Sequence, residues 1–191
     1  AATTFPKPRS VRQAMEMAML KYGGNAGRGG HQLTERTSEQ VFAAREEAAA
    51  FFGGKPENTI FCLNCTHALN LAIQGIVQSN DHVIISNLEH NAVLRPVAAM
   101  VRERGVQCSI APVSVDDKET VAAFRARIRP NTRAIICTLA SNVTGQILPY
   151  RELAALCKEH GICMIADGAV TADASKVSHN RTGANNAVGV N

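Results

Sequence analysis

Short apolar runs alternate along this chain with longer stretches in which apolar residues recur every third or fourth position. The two patterns predict different elements. Side chains on a strand alternate between faces, whereas those on a helix return to one face each turn. Strands are predicted over Thr59–Leu63, His82–Ser86, Cys108–Val113, Ala134–Leu139 and Ile162–Ala166. Helices are predicted over Ser10–Lys21, Glu35–Phe52, Thr66–Val77, Ala92–Arg104, Lys118–Ile128 and Tyr150–His160. Several of the strands are nearly continuous Ile, Val, Cys and Ala, the composition of strands covered on both faces. Alternating strand and helix implies right-handed βαβ units, and so an α/β fold with a mostly parallel sheet and helices on both faces.

Such sheets bind ligands beyond the carboxyl ends of their strands. Four predicted strand ends carry polar residues. They are Asn64-Cys65-Thr66-His67, then Glu89-His90-Asn91, then Ser141-Asn142, and last Asp167 with Gly168. Their convergence on one edge is what makes them candidates. A glycine-rich segment, Gly23 to Gly30, does not follow a strand and has neither P-loop nor dinucleotide spacing. It reads as a loop near a site or as a linker.

Composition narrows the picture. The 191 residues are 46% hydrophobic and 19% charged with net charge +4, which fits one sizeable folded globule rather than a disordered chain. The most basic stretch, Arg125 to Arg133, also holds Phe124, Ile128 and Pro130 and reads as a solvated helix end, so no nucleic-acid partner is expected. No membrane association is expected either, since no apolar run reaches spanning length, and no secretory signal opens the chain. Of the six cysteines, Cys62 and Cys65 form a C-x-x-C, but no second pair completes a zinc site. Most of the others lie in apolar runs where a thiol acts as a small hydrophobe, and a reduced, cytoplasmic protein is expected. The glycosylation-type triplets at Asn64, Asn142 and Asn180 read as chance.

The candidate residues share one ligand chemistry. Thr66 and the N–H groups opening the next helix suit an anion. His90 offers a ring that can stack on a flat heteroaromatic, and Asn142 can donate or accept a hydrogen bond. Asp167 follows the apolar Ile-Cys-Met-Ile-Ala, and a carboxylate there needs a cationic or strongly donating partner. Each residue has an ordinary structural reading: an N-cap, a hydrogen-bonding His, a turn Asn, an Asx turn. Taken together they match pyridoxal phosphate, whose phosphate, ring face, phenolic oxygen and pyridine nitrogen correspond to the four in turn. An Asp beside that nitrogen keeps it protonated, so the ring can accept electrons.

Five stretches, "AATTFPKP", "NCTHALNLA", "EHNAVLRP", "ASNVTGQILP" and "ADGA", resemble in order and spacing the N-terminal part of the large domain of class V aminotransferases. The resemblance is to the cysteine desulfurase and selenocysteine lyase group and covers residues 1 to 172. It implies the fold type I architecture of pyridoxal-phosphate enzymes, a homodimer, and a small amino-acid substrate. The implied activity is removal of sulfur from L-cysteine, leaving alanine and an enzyme persulfide for a sulfur-acceptor protein. Alternatives are another class V activity (aminotransferase, lyase or epimerase) or a truncated non-catalytic paralogue that binds the cofactor or a phosphate.

By resemblance, Thr66 and His67 fall on the phosphate turn and His90 on the ring-stacking, catalytic histidine. Asn142 and Asp167 fall on further cofactor contacts, and Asn25, Arg28 and His31 on a substrate-side loop. The implied domains are an N-terminal segment over 1–34, an incomplete cofactor-binding large domain over 35–172, and an atypical tail over 173–191. Three features depart from the family. Val170 stands where a Gln is usual. The Schiff-base lysine motif does not occur between Thr171 and Asn191, and Lys176 lies too near Asp167 to take that role. The nucleophilic cysteine belongs to a C-terminal half, so none of the six cysteines here is assigned to it.

Overall fold

The computed structural model describes residues 7–169 and the backbone of Asn186–Gly189. Val170, Lys176, the front of the "AATTFPKP" motif and most of the 173–191 tail lie outside the described residues. The described chain falls into two compact units, residues 7–61 and residues 62–169 with 186–189.

The first unit is helical. Helix α1 spans Arg9–Lys21 and α2 spans Gln32–Phe51, followed by a short 3-10 turn at Pro56–Asn58. The glycine-rich segment between the helices is a built loop rather than a loose linker. The Gly24 and Gly27 N–H groups donate to the hydroxyls of Thr37 and Ser38, at 3.2 and 3.3 Å. Glycine is required at Gly24, because a Cβ there would lie 2.7 Å from the Leu33 carbonyl oxygen.

The second unit is the α/β body. Its elements run α3 (Cys65–Ile76), β1 (His82–Ser86), α4 (Asn91–Arg104), β2 (Gln107–Ala111), α5 (Asp117–Arg125), β3 (Thr132–Thr138), α6 (Tyr150–His160), β4 (Cys163–Asp167) and β5 (Asn186–Gly189). The five strands form one sheet in the order β2-β1-β3-β4-β5, and every pairing is parallel. β1 is buried along its whole length and β3 at all but Arg133, their apolar centres Val83–Ile85 and Ala134–Cys137 flanked by buried polar residues, whereas the edge strand β2 is mostly open. Alternate side chains serve the two faces. Val83, Ile85, Ala134, Ile136 and Ile165 join Leu69 and Ile73 of α3 and Val93, Val97 and Met100 of α4 in one core. On the other side, α6 packs on β4 and α5 on β2, with Phe124, Leu153 and Leu156 fully buried.

One predicted strand does not form. Residues 59–63 pair with no strand among the described residues, and Ile60, Phe61 and Leu63 are 68%, 57% and 88% exposed. Apolarity is only half of a strand's requirement; a neighbouring ladder must also be within reach. The converse occurs in the tail, where Asn186–Gly189 lacks an apolar pattern but pairs in parallel with β4 from Met164 to Asp167.

The basic stretch is used internally. Arg127 donates to the Ile110 and Ala123 carbonyls, and Arg129 to Gln107 and the Ser109 hydroxyl. At the amino edge of the sheet, His82 is fully buried, with Nδ1 2.8 Å from the Thr132 hydroxyl and Nε2 2.9 Å from the Ser109 hydroxyl. Burial, and then the Arg129 charge, lower its pKa. The neutral ring is therefore the form the fold accepts. Its contribution is complete above the unfolded histidine pKa of about 6.5 and is lost as pH falls below it. Denaturant unfolding at about pH 7.5 and pH 5 should show a larger loss of stability on acidification for the wild type than for His82→Gln. Equal losses would contradict this account.

Candidate active site

The site is built at the carboxyl edge of the second unit's sheet, where the chain order reverses. β1 leads to β2 on one side, and the chain then crosses to β3 on the other, so the loops after β1 and β3 diverge. A crevice at such a switch point is where doubly wound sheets bind ligands.

Asp167 ends β4 and is 4% exposed. Its Oδ1 accepts two donors, the Ala169 N–H at 3.0 Å and the Cys65 thiol at 3.3 Å. Oδ2 makes no hydrogen bond among the described residues. The contact with Cys65 brings the first turn of α3 against the end of β4. That helix opens on Asn64, whose Oδ1 accepts the His67 N–H at 2.9 Å. The Cys65 and Thr66 N–H groups have no partner among the described residues, and Thr66 is exposed beside them. Asn64 thus satisfies one orphan donor of the helix start and leaves two for an anion.

The loop after β1 supplies Glu89 and His90. Glu89 Oε1 accepts the Ser86 hydroxyl and, at 3.0 Å, the Thr138 N–H, so the side chain bridges β1 to β3 across the switch point. Its Oε2 is buried without a partner. Burial chiefly, with the Asp167 charge adding, pushes Glu89 up to about 7, against the pull of its two hydrogen bonds. His90 caps α4. Its Nδ1 accepts the Ala92 N–H at 3.1 Å, which leaves Nε2 to carry the proton of the neutral ring and exposes the ring to solvent.

Asn142 lies on the turn leaving β3 and is exposed. The turn is closed by the Ser141 N–H on the Gln146 carbonyl and the Gly145 N–H on the Ser141 carbonyl, both 2.9 Å. Gly145 sits at φ 73°, in the left-handed region that glycine enters at least cost. Thr138 and Asp167 are direct partners across β3 and β4. The loops carrying Glu89, His90 and Asn142 therefore leave the same edge as Asp167 and Thr66.

The substrate-side candidates belong to the first unit. The Arg28 N–H donates to the Asn25 carbonyl at 3.1 Å, and His31 Nε2 is 3.1 Å from the Thr34 hydroxyl at the start of α2. The sequence points to the polar edge but to no role for Cys65, Glu89, Ser86 or Thr138. Glu89 stood beside a predicted strand end, which was a usable signal. The Cys65–Asp167 contact joins residues far apart in sequence and had none.

The sequence profile of the aminotransferase class-V family matches residues 1–188. The chain belongs to the class-V aminotransferase family. A probable cysteine desulfurase of Vibrio cholerae is 29% identical over 174 residues, covering 88% of this chain and 43% of that protein. A cysteine desulfurase of Serratia proteamaculans is 30% identical over 175 residues, covering 88% and 43%. The apo cysteine desulfurase of Thermococcus onnurineus superposes with a TM-score of 0.78 at 24% identity, over 93% of this chain and 46% of that one. The fold is thus that of the fold type I pyridoxal-phosphate enzymes, and the chain spans less than half the length of the relatives it matches. The class-V family is pyridoxal-phosphate dependent.

Glu89 makes a pH prediction. Its folded pKa is raised above the ordinary value of 4.5, so the fold favours the protonated acid. Its contribution is fully present below the unfolded value and is lost as pH rises through about 7. Between about pH 5 and pH 8 the loss should be on the order of 2 kcal/mol. Chemical denaturation should find this decline in the wild type and not in Glu89→Gln; a matching decline in both would exclude Glu89 as its source.

Proposed function

We propose that the second unit holds pyridoxal phosphate and that the whole protein uses it to remove sulfur from L-cysteine. The observation that carries this reading is the buried carboxylate of Asp167, with one oxygen doubly hydrogen-bonded and the other without a partner among the described residues. A buried carboxylate in that state suits a cationic donor such as a protonated pyridine nitrogen. The unpartnered N–H groups of Cys65 and Thr66 suit the phosphate, so what the residues leave unsatisfied fits this cofactor.

In this reading Thr66, with His67 beside it on the same turn, receives the phosphate. His90 covers one ring face, and its tether to the Ala92 N–H holds the imidazole in place. Asn142 hydrogen-bonds the phenolic oxygen, and Asp167 keeps the ring nitrogen protonated. Bound pyridoxal phosphate supplies an electron sink for charge developing at the substrate's α-carbon. The buried cluster of Asp167, Glu89 and Cys65 keeps water from the nitrogen side. Asn25, Arg28 and His31 are the substrate-side candidates of this reading. Neither the covalent lysine nor the persulfide-bearing thiol is assigned to this chain. The substrate follows from the relatives, which are named cysteine desulfurases. A cytoplasmic homodimer that passes sulfur to an acceptor protein completes the reading.

The test is to incubate the full-length protein with pyridoxal phosphate, L-cysteine and a thiol reductant, and to measure alanine and released sulfide. Equal amounts of the two are expected. Asp167→Ala should lower the rate at least about a hundredfold, and Thr66→Ala should weaken cofactor binding about five- to tenfold. Cofactor binding without sulfide release would replace the desulfurase reading with another class V activity. Failure to bind the cofactor would overturn the proposal.

A further inference from the structure

The thiol beneath Asp167 has an identifiable task. Cys65 is 5% exposed, is the first residue of α3, and lies on the core side of the carboxylate. A carboxylate can only accept, so the 3.3 Å contact has the thiol as donor and Oδ1 as acceptor. The Ala169 N–H fixes the same oxygen from the following turn. Two donors converging on Oδ1 set the plane of the carboxyl group and leave Oδ2 as the oxygen available to a ligand.

We propose that Cys65 is a positioning residue for Asp167, its thiol turning the carboxylate so that Oδ2 meets the ring nitrogen of the cofactor. The inference rests on the reading of Asp167 given above. It also separates Cys65 from sulfur chemistry. Burial first, then the Asp167 charge and hydrogen bond, push its pKa up to about 12, so it remains a thiol at neutral pH. A protonated, buried thiol is a poor nucleophile, which makes Cys65 a donor within the site rather than the carrier of a persulfide. The thiol is also a weak donor. It orients the carboxylate while leaving most of its charge for the pyridinium.

The test is a mutant cycle in the full-length protein, read by calorimetric binding of pyridoxamine phosphate, which has no aldehyde and so binds without covalent capture. Asp167→Asn should weaken binding strongly. Cys65→Ala should weaken it about five- to tenfold, as expected for loss of one hydrogen bond to a charged group. Cys65→Ser, which keeps a donor, should bind within about twofold of wild type. In the Asp167→Asn background, Cys65→Ala should have almost no further effect, because the two residues act as a unit. Wild-type binding by Cys65→Ala, equal losses in the Ala and Ser variants, or additive losses in the double variant would each overturn the role of Cys65 while leaving Asp167 as the ring-nitrogen partner. Undiminished binding by Asp167→Asn would instead remove the underlying reading.

Discussion

A carboxylate buried at the end of a central strand is expensive to keep. Asp167 lies at the carboxyl edge of β4, almost without solvent, and is held by the Cys65 thiol and the Ala169 N–H through one oxygen. Much of the surrounding architecture follows from supporting that group. α3 must start beside β4 to bring the thiol within reach, which places the helix's free N–H groups at the same edge. β3 must pair with β4 in the register that sets Thr138 beside Asp167, and Thr138 in turn anchors Glu89 from the loop after β1.

This geometry also explains the two kinds of acidic group in the site. Asp167 holds two donors on one oxygen, and in the proposed function its other oxygen meets the pyridinium nitrogen. Glu89 lies in the same desolvated region with an unpaired oxygen and responds to the neighbouring negative charge by holding its proton more tightly. Burial raises the cost of ionising Glu89, and the Asp167 charge adds to it, so Glu89 keeps its proton to higher pH than an ordinary carboxyl group. Cys137, fully buried on β3, is pushed upward by burial first and then by the charges of Glu89, Cys157 and Asp167.

The periodicity of the sequence carried most of the second unit. Strand β1 and helix α6 have the expected boundaries, because an unbroken Val-Ile-Ile run and a regular apolar stripe each admit one reading. Residues 59–63 misled because the side-chain pattern of a strand says nothing about whether a partner ladder is present. The candidate edge was legible because polar residues interrupting apolar strands are costly and stand out. The support beneath it was not. That a thiol at position 65 would meet a carboxylate at position 167, or that Glu89 would reach a backbone N–H at position 138, depends on how α3 and the switch-point loops pack. No local pattern encodes that packing.

The most direct measurement is a crystal structure of the full-length protein bound to pyridoxamine phosphate. The account predicts the ring nitrogen at about 2.7–2.9 Å from Asp167 Oδ2, the phosphate on the Cys65 and Thr66 N–H groups, and the His90 ring against one face. A ligand seated elsewhere, or an Asp167 carboxylate turned away from the ring nitrogen, would contradict it.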